Sequence, residues 1–198
     1  MKEIFCKTWI TIFLVVLFMT SREQKVLNIS AHTIHLVNVK TERSEQLKLF
    51  QDDKKLQVFV FLSPECPLCK NYSLVLNELQ KKYAMTVRFT GIVPGKSYSV
   101  ANVKDYMRKY KINFDIYIDS ARSIPALLQA KVTPEVFLIN AKGVVEYHGA
   151  IDNWIKQLGA TSSETTEFYL SNAIDLSLGG KAVSVRFKKP VGCLINDY

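Results

Sequence analysis

An α/β domain with a mixed central sheet is the fold class the sequence predicts, and three observations lead to it. Strand-like and helix-like segments alternate from residue 56 to residue 129, the signature of crossover units with parallel neighbours. Residues 56–62 are β-branched, aromatic or leucine except for Gln57, as expected of a strand buried on both faces. After Pro134 the pattern changes to two short apolar strands around a turn at 140–143, which adds antiparallel neighbours.

The composition permits such a domain. The chain has 198 residues, 48% hydrophobic and 22% charged, with 8 Gly and 6 Pro. This excludes disordered and collagen-like chains and leaves one domain with short extras. The formal net charge is +8. Its basic residues are dispersed in groups, at Lys54–Lys55, Lys81–Lys82, 108–111 and 186–189. Neither an aromatic-rich RNA-binding motif nor metal-finger spacing accompanies them, so they read as a solvated surface and not as a nucleic-acid site.

The elements follow in order. Residues 1–20 read as a signal peptide or weak membrane anchor. Lys2 and Lys7 precede an apolar run from Trp9 to Met19 that is about the length of a signal core and short for a bilayer span. Residues 21–35 are a polar lead-in, and 36–39 and 46–49 two short strands around a turn at 41–44. The central strand 56–62 ends at Ser63-Pro64. A helix over 69–83 keeps Tyr72, Leu76, Leu79 and Tyr83 on one face. Strand 86–93, helix 99–110, strand 114–118 and a short helix 123–129 come next. Strands 135–139 and 144–147 form the hairpin, 154–163 a loop, and 164–178 the last helix, loosely capped by 161–164 and ended by Gly179-Gly180. The domain thus spans 36–180, and 181–198 is a basic C-terminal tail.

Export changes what the cysteines mean. Of four, Cys6 lies ahead of the apolar run, leaving Cys66, Cys69 and Cys193. An odd number in an oxidising compartment points to a local pair with one thiol left over. Cys66-Pro67-Leu68-Cys69 stands between the buried strand and a helix start. Two cysteines three apart can close a small disulfide there. The first faces unpaired N–H groups and the positive end of the helix dipole, which favour thiolate, the nucleophile of disulfide exchange. Pro67 costs nothing in the first turn. Cys66 is therefore expected to be the more accessible thiol and Cys69 the more buried one. An inert disulfide or half a zinc site are the plainer readings. The zinc site lacks a second pair, since only His32, His35 and His148 are present.

Thr133-Pro134 precedes strand 135–139. It is either an ordinary trans proline at a strand start or a cis bond that leaves the Thr133 backbone free to pair with an extended substrate. The tail segment Pro190-Val191-Gly192-Cys193-Leu194-Ile195 is apolar around its thiol and is expected to fold back towards the motif, with Gly192 permitting a close backbone approach. Cys193 is then a third candidate thiol, either resolving a mixed disulfide or completing a soft metal site, or it is incidental to apolar packing.

Taken together, the buried strand, Cys66-Pro67-Leu68-Cys69 on a helix start, Thr133-Pro134 and the following hairpin resemble the thioredoxin fold over residues 30–178. The N-terminal hairpin, the helix at 99–110 and the stretch Ser63 to Tyr72 resemble its exported redoxin and TlpA-like branch, as do residues 149–153 and the tail around Cys193. The resemblance implies thiol–disulfide exchange, with Cys66 attacking, Cys69 resolving and Pro134 as the cis proline. It implies no cofactor. It also implies a protein thiol or disulfide partner in a bacterial cell envelope, in the periplasm or on the outer face of the cytoplasmic membrane, with residues 8–20 as an anchor if they are retained. Three positions depart from the family: Glu65 replaces the tryptophan before the first cysteine, Val60 the buried aspartate, and Tyr72 the glutamate of TlpA-like reductases. Two alternatives use the same fold. A Cu(I) chaperone would draw on Cys66, Cys69 and His148, or on Cys193. A peroxiredoxin-like peroxidase would need Pro-x-x-x-Thr-x-x-Cys, whereas Phe59 and Ser63 stand at the Pro and Thr positions.

Overall fold

The structure, a computed structural model, describes residues 29, 32–49 and 56–195; the expected signal segment 1–20, Cys6 and most of the lead-in lie outside them. β1 (Thr33–Asn38) and β2 (Ser44–Lys48) form the N-terminal hairpin. Then come β3 (Leu56–Phe61), α1 (Pro67–Tyr83), β4 (Val87–Pro94), α2 (Val100–Lys109), β5 (Asp115–Asp119), α3 (Ser123–Leu128), β6 (Val132–Thr133), β7 (Glu135–Ile139) and β8 (Val145–Gly149). A small hairpin of β9 (Ile155–Gln157) and β10 (Ala160–Thr161) leads to α4 (Tyr169–Leu178), β11 (Phe187–Lys188) and β12 (Cys193–Leu194).

Every residue of β3 is buried, and this strand is the axis of an eight-stranded sheet ordered β11-β8-β7-β3-β4-β5-β1-β2. β3 runs parallel to β4, and β4 to β5, while β7 lies antiparallel to β3. Alternation along the strands sends side chains to two cores. Val58, Val60, Val136 and Leu138 meet α1, α2 and α4 on one face through Leu76, Tyr106 and Ile174. Phe59, Phe61 and Phe137 meet Ile124 and Leu128 of α3 and Leu36 and Leu47 of the hairpin on the other. Each of these large side chains contributes about 1.5–3 kcal/mol by leaving water.

Several boundaries differ from the sequence reading, for local reasons. α1 starts at Pro67, not Cys69, because a proline fits the first helical position and Cys66 becomes the N-cap. β1 reaches back to Thr33, inside the expected lead-in. It pairs along its length with β2 but meets β5 only at Val37 and Asn38, and its weak apolar pattern reflects that one-sided support. α4 starts at Tyr169 rather than residue 164. Asn153 Oδ1 accepts the N–H groups of Thr166 and Glu167 at 2.9 and 3.1 Å, holding that stretch out of a helix. A hairpin, β9–β10, replaces the expected loop. Within the segment read as a tail, β11 runs parallel to β8 at the sheet edge and β12 pairs antiparallel with β6.

Candidate functional site

Cys66 is delivered by the exit from β3. Leu62 N–H still donates to Ile92 O at 2.9 Å, and Cys66 N–H then closes a turn onto Ser63 O at 3.1 Å. Cys66 sits with extended backbone at the N-cap of α1 and has no side-chain cap bond, so its sulfur projects from a turn whose first N–H groups lack helical partners. Cys69, one turn later, points inward and is fully buried. Ser63 N–H donates to its sulfur at 3.4 Å, and the Tyr106 hydroxyl donates to its carbonyl at 3.2 Å. Burial pushes the Cys69 thiol up to about 12, against the opposing pull of the Ser63 N–H and the Thr133 hydroxyl.

The Thr133-Pro134 bond is cis, and the Thr133 carbonyl oxygen lies 3.1 Å from Cys66 Sγ. Glu135, buried directly after the proline, folds its Oε2 back to accept the N–H groups of Lys131 and Val132 at 2.9 and 3.4 Å. This fixes the short β6 against the start of β7. Sequence reasoning did not single out Glu135; a lone carboxylate opening an otherwise apolar strand was the available sign.

The third cysteine completes the arrangement. Cys193 stands opposite Thr133 and Leu194 opposite Val132. Ile195 N–H donates to Lys131 O at 2.9 Å, and the Thr133 hydroxyl donates to Cys193 O at 3.5 Å. Cys193 and Cys66 are joined in a disulfide with their Cα atoms 6.1 Å apart, an ordinary separation for such a bond. A Cβ on Gly192 would collide with the Thr133 carbonyl, so only glycine lets the strand lie this close.

Two expectations are corrected here. Among the described residues the linked pair is Cys66–Cys193, and the free thiol is Cys69. The reason is that β12 brings Cys193 beside the N-cap sulfur while Cys69 faces inward. Of the two motif cysteines Cys66 is the less buried, at 3% exposed against 0% for Cys69, and the C-terminal strand lies over it. The soft-metal set does not assemble either. His148 pairs in register with Phe137 and Phe187, stacking on the Phe137 ring and meeting the Phe187 ring at a tilt. Phe137 belongs to the core on the face away from α1, so His148 is directed away from Cys69. Among the described residues no group of three His, Cys, Asp or Glu is placed to hold a metal ion.

The family-departing positions are occupied as follows. Val60 is buried in the core, and Glu65 is exposed beside the motif. The Tyr72 hydroxyl donates to the buried carboxylate of Asp152 at 2.5 Å, and its ring meets Trp154 edge-on at 5.6 Å. The hydroxyl of Ser63, at the peroxidase threonine position, is hydrogen-bonded to the Tyr98 hydroxyl at 2.9 Å.

Three comparisons place this geometry among known proteins. The AhpC/TSA family matches residues 23–148. Among curated proteins none matches the sequence significantly. Among solved structures, a hypothetical protein from Sinorhizobium meliloti 1021 is similar with a TM-score of 0.72 and 21% identity, over 85% of this chain and 93% of that one. An uncharacterised conserved protein from Geobacillus kaustophilus has the same TM-score, 0.72, and 21% identity, over 87% and 92%. A protein from Chlorobium tepidum assigned as a thiol:disulfide interchange protein DsbE aligns with a TM-score of 0.53 and 17% identity, over 76% and 92%. These likenesses show a shared thioredoxin-like fold.

Proposed function

The chain belongs to the AhpC/TSA family, and we propose that within its thioredoxin-like fold it is a thiol–disulfide oxidoreductase of the exported redoxin type. The observation that carries this reading is the placement of Cys66 Sγ. It is bonded to a cysteine on an extended strand that pairs with Thr133, the residue before Pro134. That is the arrangement a mixed disulfide with a docked polypeptide requires: a strand on the β6 edge and its sulfur on the N-cap sulfur.

The exchange runs through Cys66 and Cys69. Reduced Cys66, at the start of α1, is the thiol favoured as thiolate by unpaired N–H groups and the helix dipole. It attacks one sulfur of a partner disulfide; the partner's other sulfur leaves as thiolate, and a Cys66–partner bond forms. The Cys69 thiol gives up its proton, attacks Cys66 and releases the partner's second thiol, leaving Cys66–Cys69 oxidised. The backbone of Thr133 holds the partner segment during both steps.

The apolar run from Trp9 to Met19 supports export, and with it a partner thiol or disulfide protein in a bacterial cell envelope. Among the described residues no helix is long and apolar enough to cross a membrane. The test is reduction of insulin by dithiothreitol with the full chain as catalyst. The wild type is expected to accelerate it, Cys66→Ser to remove the acceleration, and Cys69→Ser to accumulate insulin chains linked to Cys66. Equal rates with wild type and Cys66→Ser overturn the reading.

A further inference from the structure

The strand occupying the Thr133 edge belongs to the chain itself. Its main-chain hold is confined to two short ladders and the bonds flanking them, from His148 N–H to Arg186 O, Ala150 N–H to Lys188 O and Ile195 N–H to Lys131 O. Two residue pairs join β12 to β6 and two join β11 to β8, and Leu194 and Phe187 are 71% and 50% exposed. A cavity separates the preceding segment from α4, lined by Tyr169, Leu176, Val183, Val185 and Lys188. Two glycines make the docking sterically feasible: a Cβ on Gly192 would strike the Thr133 carbonyl, and one on Gly149 the Lys188 carbonyl. While Cys193 is bonded to Cys66, an external polypeptide finds both the β6 edge and the attacking sulfur taken.

We propose that residues 187–195 are an internal occupant of the partner-binding edge, locked there by the Cys66–Cys193 disulfide and released when Cys69 replaces Cys193 on Cys66. The inference rests on the exchange reading above. In the release step Cys69 loses its proton and its sulfur attacks Cys66 Sγ. The Cys66–Cys193 bond breaks, the Cys66–Cys69 bond forms, and Cys193 leaves as thiolate and takes up a proton. One disulfide and one thiol stand on each side, so no external oxidant or reductant enters. Freed of its bond, the strand lifts from β6 and exposes a Cys66–Cys69 disulfide beside an open edge. Its own chemistry indicates what fits that edge: an extended segment whose cysteine follows a glycine, as in Gly192-Cys193.

Cys69 sets the pace. Its thiol is the buried one, and the titratable groups facing it are Lys70 on its own helix and Tyr106 from α2. With the thiol pushed up to about 12, its thiolate fraction, and so the rate of release, rises about tenfold per pH unit near neutrality. Release is therefore expected to be slower at neutral pH than in alkali.

Mapping disulfide linkages by mass in the oxidised full chain, with free thiols alkylated at timed intervals, tests the proposal. At about pH 7 the wild type is expected to hold Cys66–Cys193; by about pH 9 the Cys66–Cys69 linkage with alkylated Cys193 should form about a hundredfold faster. Cys69→Ser should keep Cys66–Cys193 at both, and Gly192→Val, folded by circular dichroism, should show Cys66–Cys69 already at the lower pH. A wild-type Cys66–Cys193 bond that does not move at either pH overturns the release step, as does Gly192→Val behaving like wild type. Insulin reduction by Cys193→Ser separates the two levels. Activity there beside an immobile wild-type bond overturns release alone, and absence of activity there overturns the exchange reading beneath it.

Discussion

Residues Cys66 and Cys69 stand one helical turn apart, yet the turn gives them opposite environments. Cys66 stands at the N-cap of α1 with its sulfur beside the Thr133 carbonyl, whereas Cys69 is enclosed by Ser63, Thr133 and Tyr106 and its thiol is pushed up to about 12. In the reduced protein near pH 7, Cys66 should therefore be alkylated on the order of a hundredfold faster than Cys69; mass quantification of labelled peptides checks this, and equal labelling would remove the distinction. Tyr72 holds a second asymmetry. Its hydroxyl and the backbone N–H of Trp154 both donate to Asp152 Oδ1, at 2.5 and 2.9 Å, and burial, with the Asp152 carboxylate beside it, holds the hydroxyl's pKa well above the usual tyrosine value. Tyr72→Phe removes one charge-assisted bond from a buried carboxylate and should cost about 1.5–3 kcal/mol in denaturant unfolding. The sequence marked Tyr72 as a departure from the family but not its partner, because Asp152 lies 80 positions away in a stretch with no periodic pattern.

At the scale of elements, the legible pieces are those long enough to carry a period. β3 and β7 announced themselves as unbroken β-branched and aromatic runs, and α1 and α2 as apolar faces at helical spacing. α2 also carries its own start signal, with the Ser99 hydroxyl accepting Asn102 N–H and Asn102 Oδ1 accepting Ser99 N–H at 3.2 and 3.0 Å. β6, β11 and β12 have two residues each and cannot display alternation, so their pairing was hidden even where the apolar setting of Cys193 pointed back towards the motif. The glycines are the sequence's trace of these strands. Gly149, at φ 121°, has no room for a Cβ against Lys188. Gly149→Ala should detach β11 and β12, seen as faster limited proteolysis within residues 180–190 than in wild type. Unchanged proteolysis would mean that the strand is held by something other than this approach.

Across the whole molecule, a two-faced sheet sets the N-cap of α1 and the cis-proline turn side by side at one end, and the chain's C-terminal strand closes over both. The α/β class and the place of Cys66-Pro67-Leu68-Cys69 were readable because each depends on neighbours in sequence. The Cys66–Cys193 link was not, because its partners are 127 residues apart and motif spacing speaks only for the local pair. Closing so long a loop restrains the unfolded chain, so oxidised wild type should exceed Cys193→Ser by about 2–5 kcal/mol in denaturant unfolding. That stabilisation would equally suit an inert staple, and the distinction between staple and exchanging bond lies in the potential. Equilibrating the full chain with glutathione buffers and quantifying free Cys66 should give a two-electron midpoint between about −270 and −120 mV, the range of exchanging thioredoxin-like proteins. A midpoint below about −300 mV, where structural disulfides resist reduction, would contradict thiol–disulfide exchange at Cys66.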